Sequence, residues 1–175
     1  MPTKVSSLRP VLRRLSILLV VLTAASLGAA TPPGPLLHKP APAFVRTDLY
    51  GRRISLRAER GKVVLLNFWA TWCAPCQEEL PRFAAWQARY GPQGFQVIAV
   101  SMDDSKTPVR TLVHKLRLDL PVVMGDARLG TRYGGVLGFP VTFLIDRQGI
   151  VVSRLEGATD LDALDQQIRS LLARH

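Results

Sequence analysis

The chemistry of this chain is concentrated at two neighbouring cysteines. Cys73 and Cys76 are the only cysteines among the 175 residues, and two residues separate them. An apolar run ends at Trp69 just before the pair, and a helical pattern follows it. The N-terminus of a helix stabilises a thiolate, and the thiolate is the nucleophile of disulfide exchange. The pattern therefore predicts a protein that moves electrons between disulfides.

A bridge between these cysteines would contribute little as a structural staple. A disulfide stabilises a fold mainly by closing a long loop of the unfolded chain, and the loop between Cys73 and Cys76 is very short. A chain of this length can also bury a core without disulfides or metals. The pair is therefore predicted to be catalytic.

The elements that position the cysteines are predicted from hydrophobic patterning. The run 63–69 is apolar except for Asn67, as expected of a strand buried on both faces. A helix at 75–90 should follow, ended by Gly91 and Pro92. The other predicted elements are a strand at 95–101, helices at 107–116 and 127–133, paired strands at 141–146 and 150–156, and a helix at 161–173.

This order of elements predicts an α/β fold. Strands that alternate with helices pair in parallel and are covered by helices on both faces. Two shorter strands, at 44–49 and 53–56, should form a β-hairpin through Tyr50-Gly51-Arg52. The expected architecture is a central mixed β-sheet flanked by helices, with an N-terminal β-hairpin.

The first thirty residues have the pattern of an export signal. Residues 4–14 are basic, residues 15–30 are apolar and uncharged, and Gly28-Ala29-Ala30 offers the small residues that a signal peptidase requires. The apolar stretch is longer than a short signal core and shorter than the roughly 20 residues that span a bilayer. Residues 1–30 are therefore predicted to be a signal peptide or an N-terminal membrane anchor, and both alternatives stay open.

A proline-rich segment separates this leader from the rest of the chain. Residues 31–42 contain five prolines, a composition that favours a stiff, extended tether. The predicted domain is therefore 43–175. Export would place the cysteines in a compartment where disulfides persist.

The positive charge of the chain does not indicate nucleic-acid binding. The net charge is +10, and part of it lies in the leader. The densest basic stretch of the domain lacks interleaved aromatic residues and any zinc-finger or recognition-helix spacing. It is interpreted as a solvated face, formed by Arg46, Arg52, Arg53, Arg57, Arg60 and Lys62.

Three separated motifs carry a family resemblance. Segment 67–76 reads Asn-Phe-Trp-Ala-Thr-Trp-Cys-Ala-Pro-Cys, Glu79 lies three residues further on, and segment 138–143 reads Gly-Phe-Pro-Val-Thr-Phe. Together they resemble the extracytoplasmic thioredoxin-like reductases of the TlpA/ResA type, in the AhpC/TSA-redoxin superfamily. The resemblance covers about residues 40–173. It implies a thioredoxin-like fold and thiol:disulfide oxidoreductase activity, with no cofactor and no metal.

The resemblance also implies roles for the residues of the cysteine motif. Cys73 is expected to attack the substrate disulfide, and Cys76, one turn into the helix, to be the more buried resolving cysteine. Ala74 and Pro75 correspond to the positions that tune the reduction potential. Pro75 also suits the first turn of a helix, where its missing N–H costs nothing.

Three further residues are expected to contact substrate. Pro140 resembles the cis-proline that faces the cysteines in thioredoxin relatives, which would leave the backbone of Phe139 to pair with an extended peptide. A trans proline at the start of a strand is the alternative. Trp72 is interpreted either as an exposed contact for partners or as a packing residue.

Glu79 and Asn67 distinguish this chain from general thioredoxins. Helical spacing places Glu79 beside Cys76, so a buried Glu79 carboxylate could accept its proton. A first-turn acid that interacts with the helix dipole is the alternative. Asn67 stands where cytoplasmic thioredoxins carry a buried aspartate, and an amide cannot accept a proton as that acid does.

The resulting functional hypothesis is an exported reductase of specific protein disulfides. By resemblance, its partners would be apocytochrome c or oxidase assembly factors, with a membrane thiol-transfer protein as electron donor. The expected location is periplasmic or extracytoplasmic. A peroxiredoxin-like peroxidase, a copper-binding metallochaperone and a holdase with a vestigial dithiol are the alternatives.

Overall fold

A computed structural model describes residues 36–174 of the chain. The predicted signal peptide or anchor at 1–30 and the first part of the predicted tether lie outside the described residues. Between residues 36 and 174, no helix has the length and apolar character needed to cross a membrane.

A two-stranded antiparallel hairpin comes first, formed by β1 (Val45–Thr47) and β2 (Arg53–Ser55), as predicted. Asp48 holds its turn by accepting hydrogen bonds from the backbone N–H groups of Tyr50 (2.9 Å) and Arg52 (2.8 Å). The Arg52 guanidinium donates to the same carboxylate at 2.6 Å. Burial raises the pKa of Asp48, but these hydrogen bonds and the charge of Arg52 outweigh it, so the pKa lies below its usual value.

A five-stranded mixed sheet forms the centre of the fold. Its strands are β3 (Val63–Trp69), β4 (Phe95–Ser101), β5 (Val122–Met124), β6 (Val141–Ile145) and β7 (Val151–Glu156). Their spatial order is β5-β4-β3-β6-β7. Strands β3, β4 and β5 are parallel, whereas β6 is antiparallel to both β3 and β7. The predicted mixed sheet is thus present, with β5 as a strand that the sequence analysis did not predict.

Four α-helices flank the sheet. They are α1 (Ala74–Tyr90), α2 (Lys106–Lys115), α3 (Ala127–Arg132) and α4 (Leu161–Leu172). Each corresponds to a predicted helix, with ends that differ by one residue. Two short 3-10 helices, Leu56–Glu59 and Gly91–Gln93, complete the described regular structure. A loop of residues 70–73 joins β3 to α1, so the cysteines lie where the central strand is followed by a helix.

Alternate side chains of β3 enter two separate apolar clusters, as the pleat of a strand requires. Val63, Leu65 and Trp69 join a cluster that contains Cys73, Cys76 and buried residues of α1, α2 and α4, which we call the cysteine face. The side chains between them join the second cluster, which we call the aromatic face. Its buried aromatic members are Phe44, Phe68, Tyr133 and Phe143.

Three rings pack closely on the aromatic face. The centroids of Phe68 and Tyr133 are 5.1 Å apart, those of Tyr133 and Phe143 are 5.1 Å apart, and those of Phe68 and Phe143 are 5.9 Å apart. The Tyr133 hydroxyl donates to the carbonyl of Pro42 at 2.7 Å, and burial raises its pKa. The first residues of the domain are therefore attached to this cluster.

Other chain segments bond to part of the outer edge of both outer strands. At β5, the N–H of Leu49 donates to the carbonyl of Val122 at 3.0 Å, next to a bridge between Asp48 and Val123. At β7, the backbone of Val151 accepts from His38 at 2.8 Å and donates to Lys39 at 2.9 Å. Part of the predicted tether thus hydrogen-bonds to the sheet.

Candidate active site

Cys73 and Cys76 form a disulfide at the N-terminus of α1. Their sulfurs are 2.00 Å apart and their Cα atoms 5.3 Å apart. Cys73 is the N-cap residue, and its Sγ accepts a hydrogen bond from the Cys76 N–H at 3.3 Å. Both residues are buried, with 4% of Cys73 and 1% of Cys76 exposed. This backbone donor is placed to stabilise negative charge on the Cys73 sulfur when the disulfide opens.

The first turn of α1 fixes the geometry of the pair. Pro75 lies in that turn, where its missing N–H breaks no helical hydrogen bond. Ala74 is exposed, whereas Cys76 points into the cysteine face. Leu80 and Phe83 extend the buried side of the helix at helical spacing and are fully buried. Packing of this apolar stripe holds the cysteines against the end of β3.

The predicted substrate-contact residues lie together beside the disulfide. Trp72 is 72% exposed, and its ring centroid is 5.4 Å from that of Phe139 in an edge-on arrangement. The bond between Phe139 and Pro140 is cis, as predicted. Leu137, which the sequence analysis did not single out, is 99% exposed in the loop just before Phe139. The site therefore carries an apolar surface, formed by the exposed Trp72 and Leu137 and the half-buried Phe139.

Glu79 lies on the buried side of α1, three residues after Cys76. It is 4% exposed, and its Oε1 accepts a hydrogen bond from the Thr159 N–H at 2.6 Å. Its Oε2 is buried and has no hydrogen-bond partner among residues 36–174. Burial raises the pKa of Glu79, and the hydrogen bonds with Thr159 offset this only in part. Glu79 is thus a buried acid held by the segment before α4.

Asn67 occupies the middle of β3, opposite Thr142 of β6. Strand alternation places its side chain with those of Leu65 and Trp69, on the cysteine face. Its Nδ2 donates to the Thr142 hydroxyl at 2.9 Å, while its buried Oδ1 has no partner in the described chain. The position is therefore polar and uncharged.

Asp103 and Gln77 contact the residue two before Cys73, and the sequence analysis singled out neither. The Asp103 carboxylate accepts from the hydroxyl and N–H of Thr71, and the Gln77 side chain donates to the Thr71 carbonyl. No local signal could have found this contact, because an aspartate after a strand has the pattern of an ordinary loop residue. Thr71 and Asp103 are 32 positions apart.

The described residues contain no group of three or more His, Cys, Asp or Glu side chains arranged to hold a metal ion. The groups near the disulfide are instead a helix N-terminus, a buried acid, a buried amide and an exposed apolar surface. This set can support attack of a thiolate on a disulfide and transfer of a proton.

Comparisons with known proteins point to the same chemistry. The sequence profile of the AhpC/TSA family matches residues 37–154. Thiol-disulfide oxidoreductase ResA of Bacillus thuringiensis subsp. konkukian is 35% identical over 135 residues, which cover 77% of this chain and 78% of the relative. Thiol-disulfide oxidoreductase ResA of Bacillus anthracis is 37% identical over 137 residues, with coverage of 77% and 78%.

Solved structures agree in fold. A thiol:disulfide interchange protein of the thioredoxin family from Chlorobium tepidum TLS is 27% identical, with a TM-score of 0.71 over 83% of this chain and 100% of that chain. A thiol:disulfide interchange protein from Bacteroides sp. is 25% identical, with a TM-score of 0.65 over 76% and 90%. The predicted thioredoxin-like fold is confirmed.

Proposed function

The chain belongs to the AhpC/TSA family and is a thiol-disulfide oxidoreductase, and on that basis we propose that it reduces disulfides of specific extracytoplasmic proteins. The observation that carries the proposal is the position of Cys73, with its sulfur at the N-cap of α1 and bonded to Cys76. The structure corresponds to the oxidised form, which a reductase reaches after it has acted.

The proposed reaction is a two-step exchange. The Cys73 thiolate attacks one sulfur of the substrate disulfide, forms a mixed disulfide and expels the other substrate sulfur as a thiolate. The Cys76 thiolate then attacks the Cys73 sulfur, so the bond between Cys73 and substrate breaks and the second substrate sulfur leaves. Two electrons pass to the substrate, which ends as two thiols, and the enzyme ends with the observed disulfide.

Glu79 is proposed to take the proton from Cys76 in the second step. Its Oε1 accepts a hydrogen bond from the Thr159 N–H, and its buried side chain lies on the same side of α1 as Cys76. A carboxyl with a raised pKa accepts and releases protons closer to neutral pH than an exposed one does. The hydrogen bond from Thr159 leaves Oε2 to receive the proton.

The apolar surface of Trp72, Leu137 and Phe139 is proposed to select the substrate. Exposed aromatic side chains supply large contact area at low cost in conformational entropy. The backbone of Phe139 would pair with the substrate strand, and Pro140, whose carbonyl already accepts from the Gly157 N–H at 2.9 Å, would hold Phe139 in place. Ala74 and Pro75 would adjust the reduction potential. A substrate whose cysteine is flanked by apolar residues fits this surface.

The compartment is proposed from the pattern of the leader, and the partners are proposed from the family resemblance. The basic and apolar pattern of residues 1–30 supports export or anchoring. The proline-rich tether proposed for 31–42 would end before His38, because residues 38–42 hydrogen-bond to the folded part of the chain and would belong with 43–175 to the catalytic domain. Outside the cytoplasm a reductase needs an electron supply, which a membrane thiol-transfer protein would provide. Apocytochrome c and oxidase assembly factors are the proposed substrates.

Trapping of the mixed disulfide tests the proposal. Cys76→Ser removes the resolving sulfur, so substrate should stay bound to Cys73 when the full chain is expressed in cells that export it. Non-reducing gels followed by mass spectrometry would identify the trapped proteins. The matched control is the double variant Cys73→Ser/Cys76→Ser, which should trap nothing. The absence of trapped partners in the single variant, or equal trapping by the control, contradicts a specific reductase.

A further inference from the structure

The N–H, the hydroxyl and the carbonyl of Thr71 each form a hydrogen bond to a side chain. Its N–H lies 3.0 and 3.2 Å from the two carboxylate oxygens of Asp103, and its hydroxyl donates to Asp103 Oδ1 at 2.5 Å. Its carbonyl accepts from Gln77 Nε2 at 2.7 Å. Side chains from two different elements therefore fix one residue of the loop that connects β3 to Cys73.

Asp103 is itself held in place. It follows β4, and its Oδ2 accepts from the hydroxyl of the fully buried Ser101 at 2.8 Å. The Asp103 N–H returns a hydrogen bond to the same hydroxyl at 3.2 Å. Hydrogen bonds to a charged acceptor are stronger than those between neutral groups. The carboxylate is thus a rigid acceptor at the end of the strand next to β3.

The loop leads directly to the reactive sulfur. The N–H of Cys73 donates to the carbonyl of Ala70 at 3.1 Å, so Ala70 to Cys73 form a tight turn with Thr71 inside it. Gln77 lies in the first turns of α1, and its N–H donates to the Cys73 carbonyl at 3.2 Å. Gln77 thus joins the loop to the helix that Cys73 caps.

We propose that Asp103 and Gln77 are positioning residues that act through Thr71 to keep the Cys73 sulfur at the N-cap of α1 while the disulfide opens and closes. This inference rests on the proposed exchange at Cys73 but not on the identity of the substrate. When the disulfide breaks, its constraint on Cys73 is lost, and the hydrogen bonds to Thr71 remain. A sulfur kept at the helix N-terminus stays a stabilised thiolate.

The test uses the purified full-length chain and two measurements that need no protein substrate. The first is the pH profile of Cys73 alkylation by iodoacetamide in the reduced form. The second is the equilibrium between dithiol and disulfide in glutathione buffers. Failure to trap partners in cells would leave both measurements intact, so failure of this inference and failure of the proposed function are distinguishable.

Thr71→Val removes the hydroxyl donor, and Thr71→Ser retains it. We expect Thr71→Val to slow alkylation at pH 7 by about three- to tenfold, the effect of one lost hydrogen bond. The glutathione equilibrium should shift toward the disulfide by a similar factor, because a less stabilised thiolate disfavours the reduced form. Thr71→Ser should behave as wild type in both measurements.

In the wild type, the N–H and hydroxyl of Thr71 and the hydroxyl of Ser101 share the two carboxylate oxygens of Asp103. Asp103→Asn leaves them a single acceptor oxygen. It should change alkylation and the glutathione equilibrium in the same direction as Thr71→Val. Asp104→Asn removes the same charge one residue further on and is the matched control, since no described residue donates a side-chain hydrogen bond to Asp104. That control should leave both measurements unchanged.

The double variant Asp103→Asn/Thr71→Val separates positioning from general stability. If Asp103 acts through Thr71, the double variant should be little worse than Asp103→Asn alone. Additive losses would overturn the inference. It would equally be overturned if the variants lowered only the thermal unfolding midpoint and left the alkylation profile and the glutathione equilibrium as in wild type.

Discussion

The two faces of the central sheet differ in what they bury. On the aromatic face, the rings of Phe68, Tyr133 and Phe143 fill the space. Arg154 lies over Phe143 and pairs with Glu156 at 2.8 Å, and its Nε is the one buried polar atom that we find without a partner on this face of the described chain. On the cysteine face, polar atoms of three buried residues have no partner in the described part of the chain. These residues are Asn67, Trp69 and Glu79.

This difference indicates that one face of the sheet mainly stabilises the fold and the other mainly holds the groups that take part in chemistry. An aromatic pair contributes about 0.5–1.5 kcal/mol beyond its buried area. A buried polar atom without a partner costs about 1–3 kcal/mol. The aromatic face thus stabilises the fold, and the cysteine face keeps groups that cost stability but can respond to a proton or a thiolate.

The largest effect is expected on the aromatic face. Phe143→Ala should lower the free energy of unfolding by about 3–5 kcal/mol, because it removes a fully buried ring and leaves a cavity. The rate of disulfide exchange per folded molecule should stay close to wild type. Urea unfolding and exchange with a model disulfide measure the two quantities. Phe143→Leu, which keeps most of the side-chain volume, should lose less stability. If the exchange rate fell in parallel with stability in these two variants, the distinction between the two faces would be wrong.

A smaller, pH-dependent effect is expected from Glu79→Gln. Burial raises the pKa of Glu79 in the folded protein, so its contribution to stability is full when it is protonated, below the pKa of about 4.3 in the unfolded chain. That contribution is lost as pH rises through the folded pKa. The variant should therefore gain stability relative to wild type as pH rises from about 4 toward neutrality.

Urea unfolding of the oxidised proteins between acid and neutral pH measures this difference. Asp104→Asn is the control, because it removes an exposed carboxyl that is not among the groups acting on the pKa of Glu79. A difference between Glu79→Gln and wild type that is constant with pH would show that the buried acid does not titrate differently from an exposed one.

The smallest net effect is expected when a polar pair of the cysteine face is replaced as a whole. Asn67→Leu alone should cost about 1–3 kcal/mol, because it leaves the Thr142 hydroxyl without its partner. Asn67→Leu/Thr142→Val replaces both groups by apolar ones of similar shape and should change stability by less than about 1 kcal/mol. Thermal or urea unfolding of Asn67→Leu, Thr142→Val and the double variant completes the cycle. If the stability losses of the two single variants add in the double variant, the Asn67–Thr142 pair stabilises the fold. The cysteine face would then not hold its polar groups at a cost in stability.

The main elements of the fold could be predicted because their patterns are local. Strands β3 and β4 are predominantly apolar runs of seven residues, and both were predicted with their observed ends. Strand β5 was missed because it has only three residues and follows a proline, so it shows no period. It is a strand because it pairs with β4 and is covered by the hairpin.

The site could be predicted only where one motif contained the whole contact. The N-cap position of Cys73 follows from its place between a strand and a helix. The partner of Glu79 could not be predicted, since Thr159 is 80 positions away and donates through its backbone. Asp103 was missed for the same reason: the fold, and not the sequence spacing, brings it to Thr71.

The covered outer strands of the sheet have a consequence for a protein that acts on other chains. Proteins whose disulfides are accessible to a reductase are often partly unfolded. An open sheet edge is a template to which such chains can add a strand and aggregate. Here the segment at His38 and Lys39 bonds to β7 at Val151, and the turn at Asp48 and Leu49 bonds to β5 at Val122 and Val123. The length of free sheet edge to which an unfolded partner could add a strand is thereby reduced on both sides of the sheet.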